Sequence, residues 1–480
     1  MGRISRRELF AVGGAAGAYA LLAACGSEGD VTGGSAETAK PTGPLTWWDQ
    51  FLPLEALEKK TFANYHSAGG PEVDYTVYNP NDQGKALQLA FQSKQMPDVF
   101  TLAGVNTASS ALQQANWFTP LTDADQITKT LPAGSIIEGL NSFGGKVYSW
   151  PQNSFRGYDT LPWANNALLQ KADIEPSTDT QSWDQFRQVV RKAQTKSGKA
   201  GLILPINFPA RMATFVEHLA QVAGFPGMGG IEMATGGYRY DHDGYLQAID
   251  YLKSFQTDKL LLSASSTLDA RAGRLRWMAG DSVFFFDGPY NVGVIKSTQQ
   301  KFLAQLSLWQ IPTANGEDPV ITNGPSGGTY WVSAASANRM DQIGKLLALF
   351  VSDEYRKGQA EAMDAAPIDL DAVASSNAHP TYKQCCAWYK SYGFLGPSPI
   401  ARNVKVADVT ASAKSVEPDL VAIVQGVMSG DVKDVKGALK TYSDAFESSR
   451  EAAIKAKGGG KVSVDDWAFP DWQRGKDYTP

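Results

Sequence analysis

Cysteine and histidine are scarce in this chain of 480 residues, at three and four respectively. His66, His218, His242 and His379 show no metal-ligand spacing, and there is no Cys-x-x-Cys. Neither a metal centre nor a redox motif is expected, and no cofactor is implied. The formal net charge is only -5, with Lys and Arg scattered along the chain. A nucleic-acid face needs a basic patch or stripe, so that class of partner is not expected. Beyond the N-terminal segment no run is long and apolar enough to span a bilayer, and no tandem repeat is visible. Two of the cysteines, Cys385 and Cys386, are neighbours. They either stay as thiols or close a strained ring whose Cα atoms lie closer than ordinary disulfide geometry favours.

Against these absences stands an information-rich N-terminus. Ser5-Arg6-Arg7-Glu8-Leu9-Phe10 precedes a small apolar run, Ala11 to Ala20, which ends in Leu22-Ala23-Ala24-Cys25-Gly26. A basic region, an apolar stretch too short for a normal span and a small-residue cleavage site make an export signal. The arginine pair resembles a twin-arginine signal, with the general secretory route as the alternative. Leu-Ala-Ala-Cys-Gly resembles a bacterial lipobox, which implies lipidation at Cys25. Residues 1–25 are therefore read as signal peptide. Residues 26–44, rich in Gly, Ser, Thr and Ala, are read as a flexible tether that cannot bury a core.

The rest, about 440 residues, is too long for one core and suggests two lobes. It is rich in aromatics, with 12 Trp, 18 Tyr and 21 Phe in the whole chain. Most aromatics are core, but sugars also stack their apolar faces on such rings. Leu45 to Trp48 reads as a strand, Leu54 to Tyr65 as a helix and Val73 to Tyr78 as a strand. Gly84 to Ser93 reads as a helix and Pro97 to Leu102 as a strand. This βαβαβ rhythm predicts a parallel sheet with ligands at its carboxyl edge, near Trp48, Asp49, Gln50 and Leu102-Ala103-Gly104. Further along, Ser182 and Gln185 form a capping-box pattern. Arg211 to Ala223, Tyr245 to Gln256 and Leu268 to Met278 read as helices, and Ser282 to Tyr290 as a buried strand ending in a Gly-Pro turn. Asn377 to Val409 reads as long and irregular. Arg271, Arg274 and Arg276 read as a solvated helix face.

Several segments match one family in its own order. Ala86 to Ser93 followed by Met96-Pro97-Asp98-Val99 is similar to that family's helix and Pro-Asp strand. Gly145-Lys146-Val147-Tyr148-Ser149-Trp150-Pro151 resembles its G-K-x-Y-x-x-P segment, and Ser182-Trp183-Asp184-Gln185-Phe186 its T-W-x-E-F helix start. Met278 to Phe284, then Asp287 to Tyr290, Gly327 to Ser333 with Lys345 to Glu354, and Val427 to Leu439 resemble its later motifs. The chain thus resembles extracellular solute-binding proteins of ATP-driven sugar importers, with the maltodextrin-binding architecture.

The resemblance implies an α/β, two-lobed periplasmic-binding-protein-like fold of type II, with the ligand cleft between lobes. Residues 45–154 with 329–365 would form one lobe, and 158–325 with 369–480 the other. The chain would cross near Ser154–Tyr158, Pro325–Thr329 and Ala365–Leu370. Carried over position by position, it implies a cleft drawn from Asp49, Gln50, Ala103, Gly104 and Asn106, from Phe155, Arg156 and Tyr158, and from Asn207 and Phe208. Asp287, Tyr290, Gly328, Thr329, Tyr330 and Arg402 complete the set. The turn at Ala103-Gly104 departs from the maltodextrin pattern, which has aromatic and charged groups there, and so implies a different ligand.

The expected function is binding without chemistry: a monomeric, lipid-anchored subunit on the extracytoplasmic face of the cell membrane. It would deliver a carbohydrate to the permease subunits of an ABC transporter by ligand-driven closure. Tyr290, Phe208, Tyr158 and Trp150 would stack on the sugar, and Asp49, Asn106, Asn207, Asp287 and Arg402 would bond its hydroxyls. An acidic or phosphorylated ligand, such as a glycerophosphodiester, is the alternative, with Arg156 and Arg402 as a clamp. A glycoside-active enzyme would need paired carboxylates, for which only Asp49 and Asp287 offer themselves and no motif speaks.

Overall fold

Aromatic and β-branched runs set two sheets. The computed structural model describes residues 43–479; the expected export signal, Cys25 and the expected tether through residue 42 lie outside the described residues. Eight strands carry the main architecture: β1 (Leu45–Asp49), β2 (Val73–Val77), β3 (Val99–Phe100), β4 (Leu161–Asn165), β5 (Ala200–Ile203), β6 (Ser282–Asp287), β7 (Leu306–Leu308) and β8 (Trp331–Val332). They form two four-stranded sheets, ordered β8-β3-β1-β2 and β7-β4-β6-β5. The fold is α/β, with helices packed on both.

In the first sheet β1 pairs in parallel with β2 and β3, while β8 returns antiparallel to β3 at the edge. The crossovers are α1 (Glu55–Ser67) and α2 (Pro80–Gln92). The expected βαβαβ unit is present, but α2 starts earlier than the apolar periodicity suggested. Asn79 caps it by accepting from the Asn81 amide at 3.3 Å, and Pro80 occupies the first turn, where its missing N–H costs nothing. The entry to β1 is held by Arg339, which donates to the Pro44 carbonyl at 2.9 Å and pairs with Asp98 at 3.2 Å.

In the second sheet β4 runs antiparallel to both neighbours, and β5 and β6 are parallel. Every residue of β6 is buried, as an unbroken Val-Phe-Phe-Phe run covered on both faces requires. The helices on this sheet include α3 (Trp183–Ser197), α4 (Pro209–Val222), α5 (Asp243–Thr257) and α6 (Ala270–Met278). The capping box of α3 is formed in both directions: Ser182 Oγ accepts from the Gln185 amide at 3.2 Å and Gln185 Oε1 from the Ser182 amide at 2.8 Å.

The stretch expected to be irregular is not. It holds α7 (Pro380–Tyr392), a short strand at Gly393–Leu395 and helices at Pro399–Arg402 and Val406–Ser412. Pro380 and Pro399 sit in first turns and so begin helices rather than break them. Cys385 and Cys386 are separate buried thiols on α7, and burial pushes both up.

Each sheet has its own core. Trp47, Phe62, Tyr330 and Phe350 pack on one face of the first, with Trp47 stacked 4.8 Å from Phe350. Phe100, Trp117 and Trp331 cover the other face. The larger core surrounds the second sheet with Trp163, Phe186, Phe284 and Trp309, and the C-terminal Val424 and Leu439 join it. Among the described residues no helix is long and apolar enough to cross a membrane.

Three chain segments run side by side between the two cores. Ser154 donates to the Ala366 carbonyl and Ile368 to that of Gln152, both at 2.9 Å. Thr329 donates to Trp150 at the same distance.

Candidate functional site

The carboxyl ends of β1, β2 and β3 face helix N-termini from the second sheet, and a cavity of about 440 Å³ lies there. Gln50 to Pro53, Asn79 to Asn81 and Thr101 to Ala103 line one side. Phe208, Arg211, Arg271, Arg274 and Tyr290 line the other. The side-by-side segments add Asn153, Gly328, Thr329, Asp364 and Ala365. Such a position, outside the carboxyl ends of strands, is where open α/β sheets bind ligands.

Local structure fixes each wall. Thr101 Oγ1 donates to Gln50 Oε1 and accepts from Gln83 Nε2 at 2.9 Å, so the two polar ends after β1 and β3 form one network. A Cβ on Gly84 would lie 2.1 Å from the Gly104 carbonyl oxygen, so only glycine lets α2 meet the loop after β3 this closely. Gly104 itself has φ +71°, the left-handed region. At the rim Arg271 donates to the Tyr78 carbonyl at 2.9 Å, and Asn79 Nδ2 meets Asp269 Oδ2 at 3.4 Å. The N-termini of α2 and α6 are therefore joined across the cavity mouth.

The second-sheet wall is an aromatic and guanidinium stack. Arg211 lies 4.9 Å from the Tyr290 ring centroid and 5.6 Å from that of Phe208, and Arg274 lies 5.8 Å from Tyr290. Arg211 pairs with Asp159, and Arg274 with the fully buried Asp287 and, at 2.8 Å, with Asn291 Oδ1. Burial opposes the charge of Arg211, but Tyr290, Asp159 and Asp287 outweigh it and hold the guanidinium ionised. His218, behind Arg211 and bonded to Thr160 at 3.0 Å, is pushed down to about 3 by burial and that arginine, so it stays neutral. Burial pushes the Asp364 carboxyl up to about 7, with Asp49 adding to the rise and Arg274 opposing it.

Of the residues expected at the cleft, Gln50, Ala103, Phe208, Tyr290, Gly328 and Thr329 line the cavity. Asp49 and Asp287 are fully buried behind the walls. Asp49 accepts from Trp47 Nε1 at 2.9 Å and from the Phe51 amide and Tyr75 hydroxyl at 3.0 Å. Tyr330 donates to Glu58 in the first core at 2.6 Å, and Tyr158 to Gln310 in the second at 2.8 Å. Trp150 is core as well. Gly104 shapes the loop without lining the cavity, Asn106 is exposed, and Asn207 turns to the Thr267 carbonyl at 3.4 Å.

The arginine clamp does not assemble. Phe155 and Arg156 line a separate groove, where Arg156 pairs with Asp477. Arg402 sits 3.5 Å over the Phe469 ring and donates to the Ala468 carbonyl. The supposedly solvated arginine face is corrected too: only Arg276, paired with Asp281, is surface-like. Arg274 is buried and Arg271 lines the cavity. Their neutralising or accepting partners lie on other elements, so the local sequence carried no sign of them. Arg211, Asp159 and Asp364 were missed altogether. For Asp364 the available signal was its position one residue before the expected crossing at Ala365.

With this geometry in view, residues 60–384 match the family model described as bacterial extracellular solute-binding protein, and the chain belongs to that family. Its members are extracytoplasmic binding proteins. Solved structures share the fold at low identity. A chitin oligosaccharide binding protein is 16% identical with TM-score 0.62, over 87% of this chain and 100% of that one. Maltose-bound MalE3 of T. maritima is 14% identical with TM-score 0.63, over 85% and 99%. A raffinose complex of RafE is 13% identical with TM-score 0.58, over 85% and 100%. No curated protein matches this sequence.

Proposed function

We propose that this protein is the monomeric, lipid-anchored binding subunit of an ABC importer and that it delivers a neutral sugar or short oligosaccharide to the permease. Residues 45–154 with 329–365 act as one lobe and 158–325 with 369–480 as the other, with Cys25 as the lipidation site. The lobes close on the ligand by bending at the three side-by-side segments, and the permease reads that closure. The observation that carries this reading is the cavity itself: amide and hydroxyl groups on one wall, and on the other the rings of Phe208 and Tyr290 among arginines. Rings cover apolar sugar faces while fixed polar groups take the hydroxyls. The space, about 440 Å³, lies within the usual size of small-ligand pockets and suits a short sugar. The relatives with maltose, raffinose and chitin oligosaccharide in their descriptions lend support.

The gathering of Arg211, Arg271 and Arg274 favours a second reading, an anionic ligand. Two of the three are already matched by Asp159 and Asp287, which weighs toward the neutral sugar. Glycoside chemistry with two carboxylates has one acid, Asp364, among the lining residues.

The test is a thermal-shift and calorimetric screen of the mature chain against neutral saccharides and glycerophosphodiesters. A concentration-dependent rise in Tm with a neutral sugar is expected; a rise with anionic compounds alone would overturn this choice. Anchoring is checked separately: Cys25→Ala is expected to move the protein from the membrane to the soluble fraction.

A further inference from the structure

Among the residues lining the cavity, Asp364 stands apart. The residue is only 5% exposed; the Ala365 amide stabilises its carboxylate, but its Oδ2 has no hydrogen-bond partner among the described groups. Two other lining residues also carry buried polar atoms without a partner, the Tyr290 hydroxyl and Arg211 Nε. These are one carboxylate oxygen, one hydroxyl and one N–H, each shielded from solvent in the wall, so a ligand meets them as these side chains turn toward the cavity. Native buried polar atoms are nearly always satisfied, so a cluster of three beside a cavity marks groups that a ligand completes.

Charge decides what kind of ligand. The guanidiniums of Arg211 and Arg274 are taken by Asp159 and Asp287. Arg271 is turned to the Tyr78 carbonyl at the rim. Once Asp364 ionises, above about 7, three cations stand against three acids, Asp159, Asp287 and Asp364, and the site carries no surplus of positive charge. An anionic group entering it meets the Asp364 carboxylate, and like charges in a poorly hydrated site repel. Sugar hydroxyls are donors and suit an acceptor-only carboxylate.

We infer that Asp364 is the specificity residue of the site: it accepts hydrogen bonds from ligand hydroxyls and rejects carboxylated or phosphorylated counterparts, although three arginines surround the same cavity. This rests on the sugar-binding reading above. The charged groups that bear on it are Asp49, Asp159 and Arg274. Its carboxyl, raised to about 7 chiefly by burial, gives the inference a signature. Hydroxyl donors stabilise the ionised form, so the ligand lowers this pKa, and affinity rises with pH through that value and levels off above it. His218 is already neutral and adds nothing in that range.

The experiment is calorimetric titration of the mature chain with maltose, raffinose and chitobiose and with glucuronic acid and glucose 6-phosphate. It spans about pH 5.5 to about 8.5, either side of the ordinary histidine range. Wild type, Asp364→Asn and Asp364→Ala are compared, with melting curves to establish that each folds. Wild type is expected to bind a neutral sugar more tightly at the alkaline end and the acidic sugars weakly. Asp364→Asn is expected to lose about ten- to hundredfold for the neutral sugar, the worth of a hydrogen bond to a charged group. It should also lose the pH dependence and narrow the discrimination against the acidic sugars. A neutral sugar that binds wild type and Asp364→Asn alike, with no pH dependence in wild type, would overturn the role of Asp364 and leave the sugar reading standing. Binding of glucose 6-phosphate or glucuronic acid without any neutral sugar would overturn both. The wild-type pH profile needs no variant, so the inference is testable even if a substitution unfolds the chain.

Discussion

Two buried carboxylate clusters, one in each half of the molecule, are neutralised in opposite ways. Around the first sheet Asp49 and Glu58 are both fully buried and hydrogen-bond to one another, ringed by the hydroxyls of Tyr75, Tyr330 and Tyr355 with no cation among their partners. Around the second sheet Asp287 and Asp159 are matched by Arg274 and Arg211. The Asp49–Glu58 pair is neutralised by a proton, whereas Asp287 and Asp159 are neutralised by guanidinium groups. The first arrangement responds to pH, and the second keeps its charges and can present them to a ligand. It follows that the arginines of the cavity belong to the architecture of the second half before they belong to the ligand.

The largest effect expected from breaking this contrast is at Arg274. Arg274→Met leaves Asp287 buried without its counter-charge and should cost about 3–5 kcal/mol in denaturant unfolding. The double variant Arg274→Met, Asp287→Leu should recover most of that loss, because apolar replacement of a buried pair is often neutral. A double variant no better than the single one would show that the pair does more than cancel charge.

Next comes the proton-sharing pair. Burial, followed by the neighbouring carboxylate, raises Glu58 well above its ordinary value, and burial raises Asp49. Folded protein therefore holds protons that the unfolded chain has released, and the sign follows: this contribution is full at low pH and shrinks as pH climbs from the ordinary carboxyl range through the raised values. Glu58→Gln, with an uncharged amide, should flatten that decline in Tm against pH. An unchanged slope would place the proton elsewhere.

Smaller effects are expected where the contrast is absent. Tyr290→Ala removes the ring that Arg211 and Arg274 share and should weaken sugar binding by about tenfold in calorimetry. Ser182→Ala, at the capping box of α3, should lower stability by about 1 kcal/mol without touching affinity. A change in affinity from Ser182→Ala would tie α3 to the cavity.

How far the sequence carried these conclusions depends on how local each signal was. Strand β1, the α3 capping box and the buried run of β6 are written in adjacent residues, so periodicity and caps located them. The cavity residues Gln50 and Ala103 followed from the rule that ligands sit at strand ends, and Tyr290 from the family resemblance at the turn after β6. Glu58, by contrast, lies in Glu55-Ala56-Leu57-Glu58-Lys59-Lys60, which looks like a wet helix face. Its partners are 9, 17 and 272 residues away, at Asp49, Tyr75 and Tyr330. Arg274 hides in the same fashion, its acid lying 13 residues on, across a turn. Asp364 sits in Met363-Asp364-Ala365-Ala366-Pro367, a string without a motif, and only the approach of three distant segments gives it surroundings. Arg156 and Arg402 were expected at the cleft from positions carried over from the family, yet both are occupied elsewhere.

The backbone bonds that tie Trp150–Ser154, Thr329 and Ala366–Ile368 into one ribbon have a mechanical consequence for the proposed lobe motion. A single flexible link would leave twisting, sliding and bending equally free. Three parallel links fastened to one another resist torsion and shear, and leave one soft axis, as a door keeps only its swing. Any membrane partner that docks across both lobes then has one coordinate to measure, and a full or empty binding site is reported by a single angle.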